Sequence, residues 1–105
     1  MERIETTILK NLIFNEDYSR KVLPFLKNEY FESYHEKVVF EETAKFIIEY
    51  SNLPSKEAIV IEAEKRTDIS DEGFKDITKL VTELNEEKSD LQWLFDTTEK
   101  WCRDR

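Results

Sequence analysis

The sequence predicts an all-α fold of about six helices, a small helical globule followed by an antiparallel helical hairpin. Three observations point there. The 105 residues include one glycine, Gly73, and two prolines, Pro24 and Pro54, too few turn-formers for a hairpin-rich β protein. Apolar residues recur at helical spacing in separate blocks. Ser or Asn precedes most of these blocks, where a side-chain oxygen can cap a first turn.

The first helix is expected from about residue 4 to 14, with Ile4, Ile8, Leu9, Leu12 and Ile13 as its buried stripe. Asn15 caps a short second helix, and Glu16 and Asp17 sit in its first turn, where the helix dipole favours acids. Tyr18, Val22 and Leu26 mark its inner face, and Pro24 predicts a break at Leu23. Ser33 and Glu36 have capping-box spacing and open a third helix that runs to about residue 50. Val39, Phe40, Ala44, Phe46, Ile47, Ile48 and Tyr50 cover more than half of its circumference, which predicts a central helix. Asn52, Leu53 and Pro54 end it.

Ser55 caps the fourth helix, with Ala58, Ile59, Ile61, Glu62 and Ala63 in its body and an end near Thr67 and Asp68. Ser70 caps the fifth, whose stripe is Phe74, Ile77, Leu80, Val81 and Leu84. A polar link over residues 85–88 leads to a second capping box, Ser89 and Gln92, and a sixth helix. Its stripe is Leu91, Leu94, Phe95, Thr98, Trp101 and Cys102. The last two stripes are narrow and nearly heptad-spaced, which predicts an αα-hairpin over 69–105 beside a globule over 1–68.

The formal net charge of −8 divides as −3 over residues 1–55, −5 over 56–90 and zero over 91–105. Without clustered Lys and Arg, neither strong nucleic-acid binding nor attraction to an anionic membrane is expected. The lone Cys102 cannot form an internal disulfide, which points to a reducing compartment. No apolar run approaches the roughly 20 residues of a membrane span. Residues 1–5 lack the basic and apolar regions of a signal peptide, so a cytoplasmic location is expected.

Chemistry-bearing residues are scarce. One glycine is too few for a phosphate-binding loop or a dinucleotide fingerprint, so no cofactor site is expected in this chain. Glu32 and His35 form a single Glu-x-x-His pair, where a di-iron site needs two, and zinc would need more Cys or His. His35 is expected to sit half-exposed in a first helical turn. Cys102 falls on an apolar stripe, where a structural thiol is the usual outcome. No catalytic or metal residue is assigned.

Protein binding is the function class that remains. Trp93 lies two residues from Leu91, roughly 200° around the helix, off the buried stripe. It is either an interface hot spot or a residue covered when the hairpin folds back on the globule. The interface candidates are Trp93 together with Ile77, Leu80, Val81, Leu84, Leu94 and Trp101 of the hairpin stripes. Tyr30 and Phe31 are expected to staple their loop to the core. An independent acidic adaptor that binds a basic partner is the alternative on charge alone.

Several short runs carry a resemblance to a family. They are Leu12, Ile13 and Phe14 in the opening helix; Tyr30 and Phe31 before Glu32 and Ser33; the step Asn52, Leu53, Pro54, Ser55; and the segment from Trp93 to Trp101. In this order and over essentially the whole chain, they resemble the N-terminal domain of DnaB-type replicative helicases, those of T-even-type bacteriophages in particular. The resemblance implies a non-catalytic collar domain that self-associates through its hairpin and engages primase and a helicase loader. It also implies a RecA-like motor domain, with its ATP and Mg, outside these 105 residues. The sequence stops within the expected sixth helix, as a domain cut from a longer chain would.

Overall fold

The computed structural model describes residues 3–105. Among them are α1 (Ile4–Phe14), α2 (Glu16–Val22), α3 (Tyr34–Tyr50), α4 (Lys56–Glu64), α5 (Asp71–Glu83) and α6 (Leu91–Arg103), with no strand. Two 3-10 turns, Leu23–Phe25 and Asn28–Tyr30, join α2 to α3. The break at Pro24 is thus where the ring's fixed φ and missing N–H demand it.

Caps set the helix starts. Asn15 Oδ1 accepts from the Tyr18 N–H (3.1 Å), Ser33 Oγ from Glu36 (3.4 Å), Ser55 Oγ from Ala58 (3.0 Å) and Ser70 Oγ from Gly73 (3.0 Å). The sixth helix departs from expectation by one residue. Asp90, not Ser89, accepts the Trp93 N–H at 2.9 Å, and Gln92 donates to Asp96 instead of closing a box. A carboxylate caps as well as a hydroxyl and adds a favourable charge at the positive end of the dipole. At its other end, α3 stops because Ser51 turns into the left-handed region (φ 55°), one residue before the expected stop at Asn52.

The helix α3 is central as expected, packing against α1, α4 and α5, but α1 is the more fully buried of the two. Residues 8–13 of α1 are all buried, Lys10 and Asn11 included. Lys10 survives there because its amine reaches Glu87 at 2.6 Å and its stem packs along apolar surface. In α3 the buried residues stop at Thr43. Beyond them Ile48 is 77% exposed and Tyr50 56%, so the apolar girth of this helix does not report enclosure.

The expected hairpin is not met. α5 packs on α3 and α4, while α6 packs on α2. Ile77, Val81, Leu84, Leu94 and Trp101 join Ile8, Leu9, Leu12, Tyr18 and Phe31 in one continuous core, so no boundary near residue 68 divides it. A narrow apolar stripe requires one covered face and does not say which partner covers it. Here the globule offers more apolar area than a second narrow stripe. Full burial is worth about 1.5–3 kcal/mol for each large apolar side chain, so this choice is strongly driven.

Candidate protein-interaction surface

The core of the domain accounts for most of the side chains expected at an interface. Ile77, Val81, Leu84 and Leu94 are buried, and Leu80 is half-buried against the core. Trp101 is 6% exposed, with ring centroids 5.1 Å from Phe31 and 5.9 Å from Tyr30. Arg105 also lies over the ring, its guanidinium carbon 4.8 Å from the centroid. The five buried residues hold the domain together and present no side of their own to a partner, while Leu80 keeps part of its surface open. Tyr30 and Phe31 do fasten their loop: Phe31 is fully buried and Tyr30 stands edge-on to Trp101.

Trp93 is different. It is 51% exposed in the first turn of α6, held by the Asp90 cap at its own N–H. A rigid, half-exposed indole on a capped helix start loses little side-chain entropy on binding. Cys102 lies nine residues on, about 180° around the helix. It is half-buried, and burial raises its thiol pKa above the ordinary range. A protonated thiol is a poor nucleophile. His35 is half-buried in the first turn of α3, beside the buried Glu36.

On the Cys102 side, α6 and α2 border a groove of about 490 Å³. Val22, Phe25, Tyr30, Phe95 and Cys102 give it apolar walls, and Lys21, Glu99 and Arg103 stand around it. Its base is tied by a buried hydrogen bond of 2.6 Å between Tyr18 Oη and Thr98 Oγ1. Phe95 stacks on Tyr18 (centroids 6.0 Å, planes 8° apart) and carries the Lys21 ammonium 4.4 Å above its ring. Phe25 is 70% exposed at the rim. Sequence reasoning missed this groove, although an apolar Phe25 directly after Pro24, on a 3-10 turn too short to have a buried face, was a readable signal.

Charge is unevenly placed. Residues 31–90 carry the whole net charge of −8, while 1–30 and 91–105 each balance to zero. The α3–α5 side is therefore acidic and the α1, α2 and α6 side is neutral. Arg66 knits the acidic side together, with hydrogen bonds to Glu41 (3.0 Å), Glu42 (3.0 Å) and Asp68 (2.7 Å). Among the described residues no helix is long and apolar enough to cross a membrane.

No protein-family model matches the sequence. Over 98 residues, 93% of the chain, it is 32% identical to the DnaB-like replicative helicase of Enterobacteria phage T4. The chain spans 20% of that protein's length. A match that covers nearly all of this fold and a fifth of the helicase is a match to one domain. Over nearly its whole length, the chain is thus similar to one part of a DnaB-like replicative helicase.

Proposed function

We propose that the chain is the N-terminal collar domain of a hexameric DnaB-like helicase, non-catalytic itself, that self-associates and engages primase. The observation that carries this reading is the 32% identity running through 93% of the chain to a fifth of a replicative helicase. The scarcity of Gly, His and Cys supports a binding role, because the ATP- and Mg-dependent motor would lie in a separate domain. The net charge of −8 argues for protein partners, primase and a loader, over direct DNA contact.

Trp93 is the surface residue on which this reading depends, now that five of the other apolar candidates are committed to the core and Leu80 is half-buried. Trp93→Ala should weaken self-association or capture of the cognate primase at least tenfold. Because the indole is half-exposed, the melting temperature should fall by only a few degrees. Sedimentation and a primase pull-down measure the first, and thermal unfolding measures the second. Unchanged association and primase capture in the variant would refute Trp93 as the contact. A wild-type chain that is strictly monomeric and ignores primase would refute the collar reading itself.

The second reading, an acidic adaptor for a basic partner, has the concentration of charge in residues 31–90 in its favour. Reading the gene on past Arg105 separates the two, since a phosphate-binding loop downstream belongs to the helicase alone.

A further inference from the structure

Two features on opposite sides of the charge divide complement each other. The first is the groove between α2 and α6. Its walls are apolar and its rim carries Lys21 and Arg103. Neither cation is committed. Lys21 rests over Phe95 and makes no ion pair among the described residues, and Arg103 has only an exposed contact of 4.0 Å with Glu99. By contrast, Arg20, Arg66 and Arg105 each hold a carboxylate at 2.6–3.3 Å.

The second feature is the outer edge of α4. Glu57, Ile61 and Glu64 are all exposed, and they follow one another at i, i+4 and i+7. That spacing puts them on one face, with the isoleucine between the carboxylates over roughly 10 Å of helix. Ile61 is 54% exposed, and neither Glu57 nor Glu64 makes an ion pair among the described residues. Carboxylates beside an apolar knob on one surface thus complement cations beside an apolar slot on the other. One α-helix edge is a shape that an open groove of about 490 Å³ admits.

We propose that the groove between α2 and α6 receives the Glu57–Ile61–Glu64 edge of α4 from a second copy of the chain. The contact joins two different surfaces, so it is head-to-tail, and repetition gives a ring or an open filament according to the angle between copies. It rests on the reading that the domain self-associates, but it does not use Trp93. A nucleic-acid strand is a poorer occupant, because its regular phosphates need a row of cations and Glu99 stands among the only two here. A segment of another protein that copies the α4 edge is excluded or admitted by the outcome below.

The test is complementation between charge-reversed chains. One variant carries Lys21→Glu and Arg103→Glu, the other Glu57→Lys and Glu64→Lys. All four positions are exposed, so both variants should give wild-type circular dichroism. The wild type should self-associate in sedimentation runs at up to millimolar concentration, and each variant alone should associate at least tenfold more weakly. Mixed in equal amounts they should associate again, since each groove then meets a knob of opposite charge. Cys102, which lines the groove, reports the place: its alkylation by iodoacetamide should slow severalfold in the mixture relative to either variant alone.

Failure of the mixture to associate, or association without protection of Cys102, overturns the inference. If the wild type still associates in that case, and Trp93→Ala abolishes it, the collar reading stands without this contact. If the complementation works and Trp93→Ala changes nothing, the head-to-tail contact stands and the Trp93 surface falls. A wild type that stays monomeric while binding oligothymidylate in the groove, read as protection of Cys102, overturns the inference in favour of nucleic acid. Protection by a synthetic peptide with the α4 edge sequence, with a monomeric wild type, overturns it in favour of a foreign partner.

Discussion

Tyr18→Phe removes one oxygen from the joint between α2 and α6 and leaves the ring stack on Phe95 in place. In the native chain Tyr18 Oη and Thr98 Oγ1 lie 2.6 Å apart, and both residues are buried, at 0% and 3% exposure. The substitution leaves the threonine hydroxyl without that partner, out of reach of water. Orphaning a buried hydroxyl costs about 1–3 kcal/mol, well above the net worth of an average hydrogen bond. For a domain of this size, each kcal/mol moves the melting temperature by about 4–8 °C. Thr98→Val should cost a similar amount by orphaning the phenol. The double variant replaces both partners with apolar groups of similar shape and should recover most of the loss. A double-mutant cycle by urea unfolding, followed by circular dichroism, should therefore show a coupling of at least about 1 kcal/mol. Purely additive losses, or a Tyr18→Phe chain as stable as wild type, would refute the claim that this bond closes the joint. The same burial pushes the Tyr18 pKa up to about 12 from the ordinary 10.0 of a phenol, chiefly through desolvation, against the lowering effect of the Thr98 bond. The raised pKa favours the neutral phenol in the folded chain. Its contribution to stability is complete below pH 10 and is lost as pH rises from 10 towards 12.

Three further outcomes are expected. Phe40→Ala should cost about 3–5 kcal/mol in chemical unfolding through the cavity it opens, and Ile47→Ala, at a half-buried site, clearly less. Arg66→Met should cost about 1.5–3 kcal/mol, because Glu42 is 6% exposed and among the described residues keeps only a distant lysine, Lys45 at 3.9 Å; a loss under 0.5 kcal/mol would show the network to be ornamental. Glu36 is raised above the ordinary carboxylate range by burial first, with Arg3 pulling the other way and Glu5 adding to the rise. Its neutral form is therefore favoured by folding, and its contribution is present below pH 4.5 and fades as pH rises through the folded value. Glu36→Gln should hold or raise the melting temperature at neutral pH and flatten its fall as pH rises above 4.5, which a pH series of thermal scans would show.

Helix positions were legible in the sequence because they are set by neighbours. A cap needs an oxygen three residues before a free N–H, and Asn15, Ser33, Ser55 and Ser70 each supply one. What lay out of reach was which helix covers which. The stripes of α5 and α6 fit equally well against each other or against a globule, and the balance depends on total apolar area, which no single segment reports. The same limit moved five of the interface candidates into the core and left Trp93, whose off-stripe angle is a local property, at the surface. It also hid where the cover of the central helix α3 stops, since Ile48 and Tyr50 widen the apolar face without being covered. The groove by α6 arises between residues more than 70 positions apart, Val22 and Cys102 among them, so only the packed chain displays it.

The placement of α6 has a consequence for how such a domain can assemble. A hairpin that stood free could pair only through its own stripe, and pairing would compete with folding for the same apolar residues. Packed on α2, α6 spends Leu94, Thr98 and Trp101 on the core and keeps two separate flanks: Trp93 on one side, and the groove with Phe95 and Cys102 on the other. About 180° of helix separates the indole from the thiol, so one neighbour cannot use both flanks with the same element. A ring closed by one head-to-tail contact at the groove would leave the Trp93 flank free for a different neighbour. The domain can then fold without a partner, because its core does not draw on either flank. Substitutions at Trp93, Lys21 or Arg103 should separate association from melting temperature in a way that substitutions at Leu94 or Trp101 cannot.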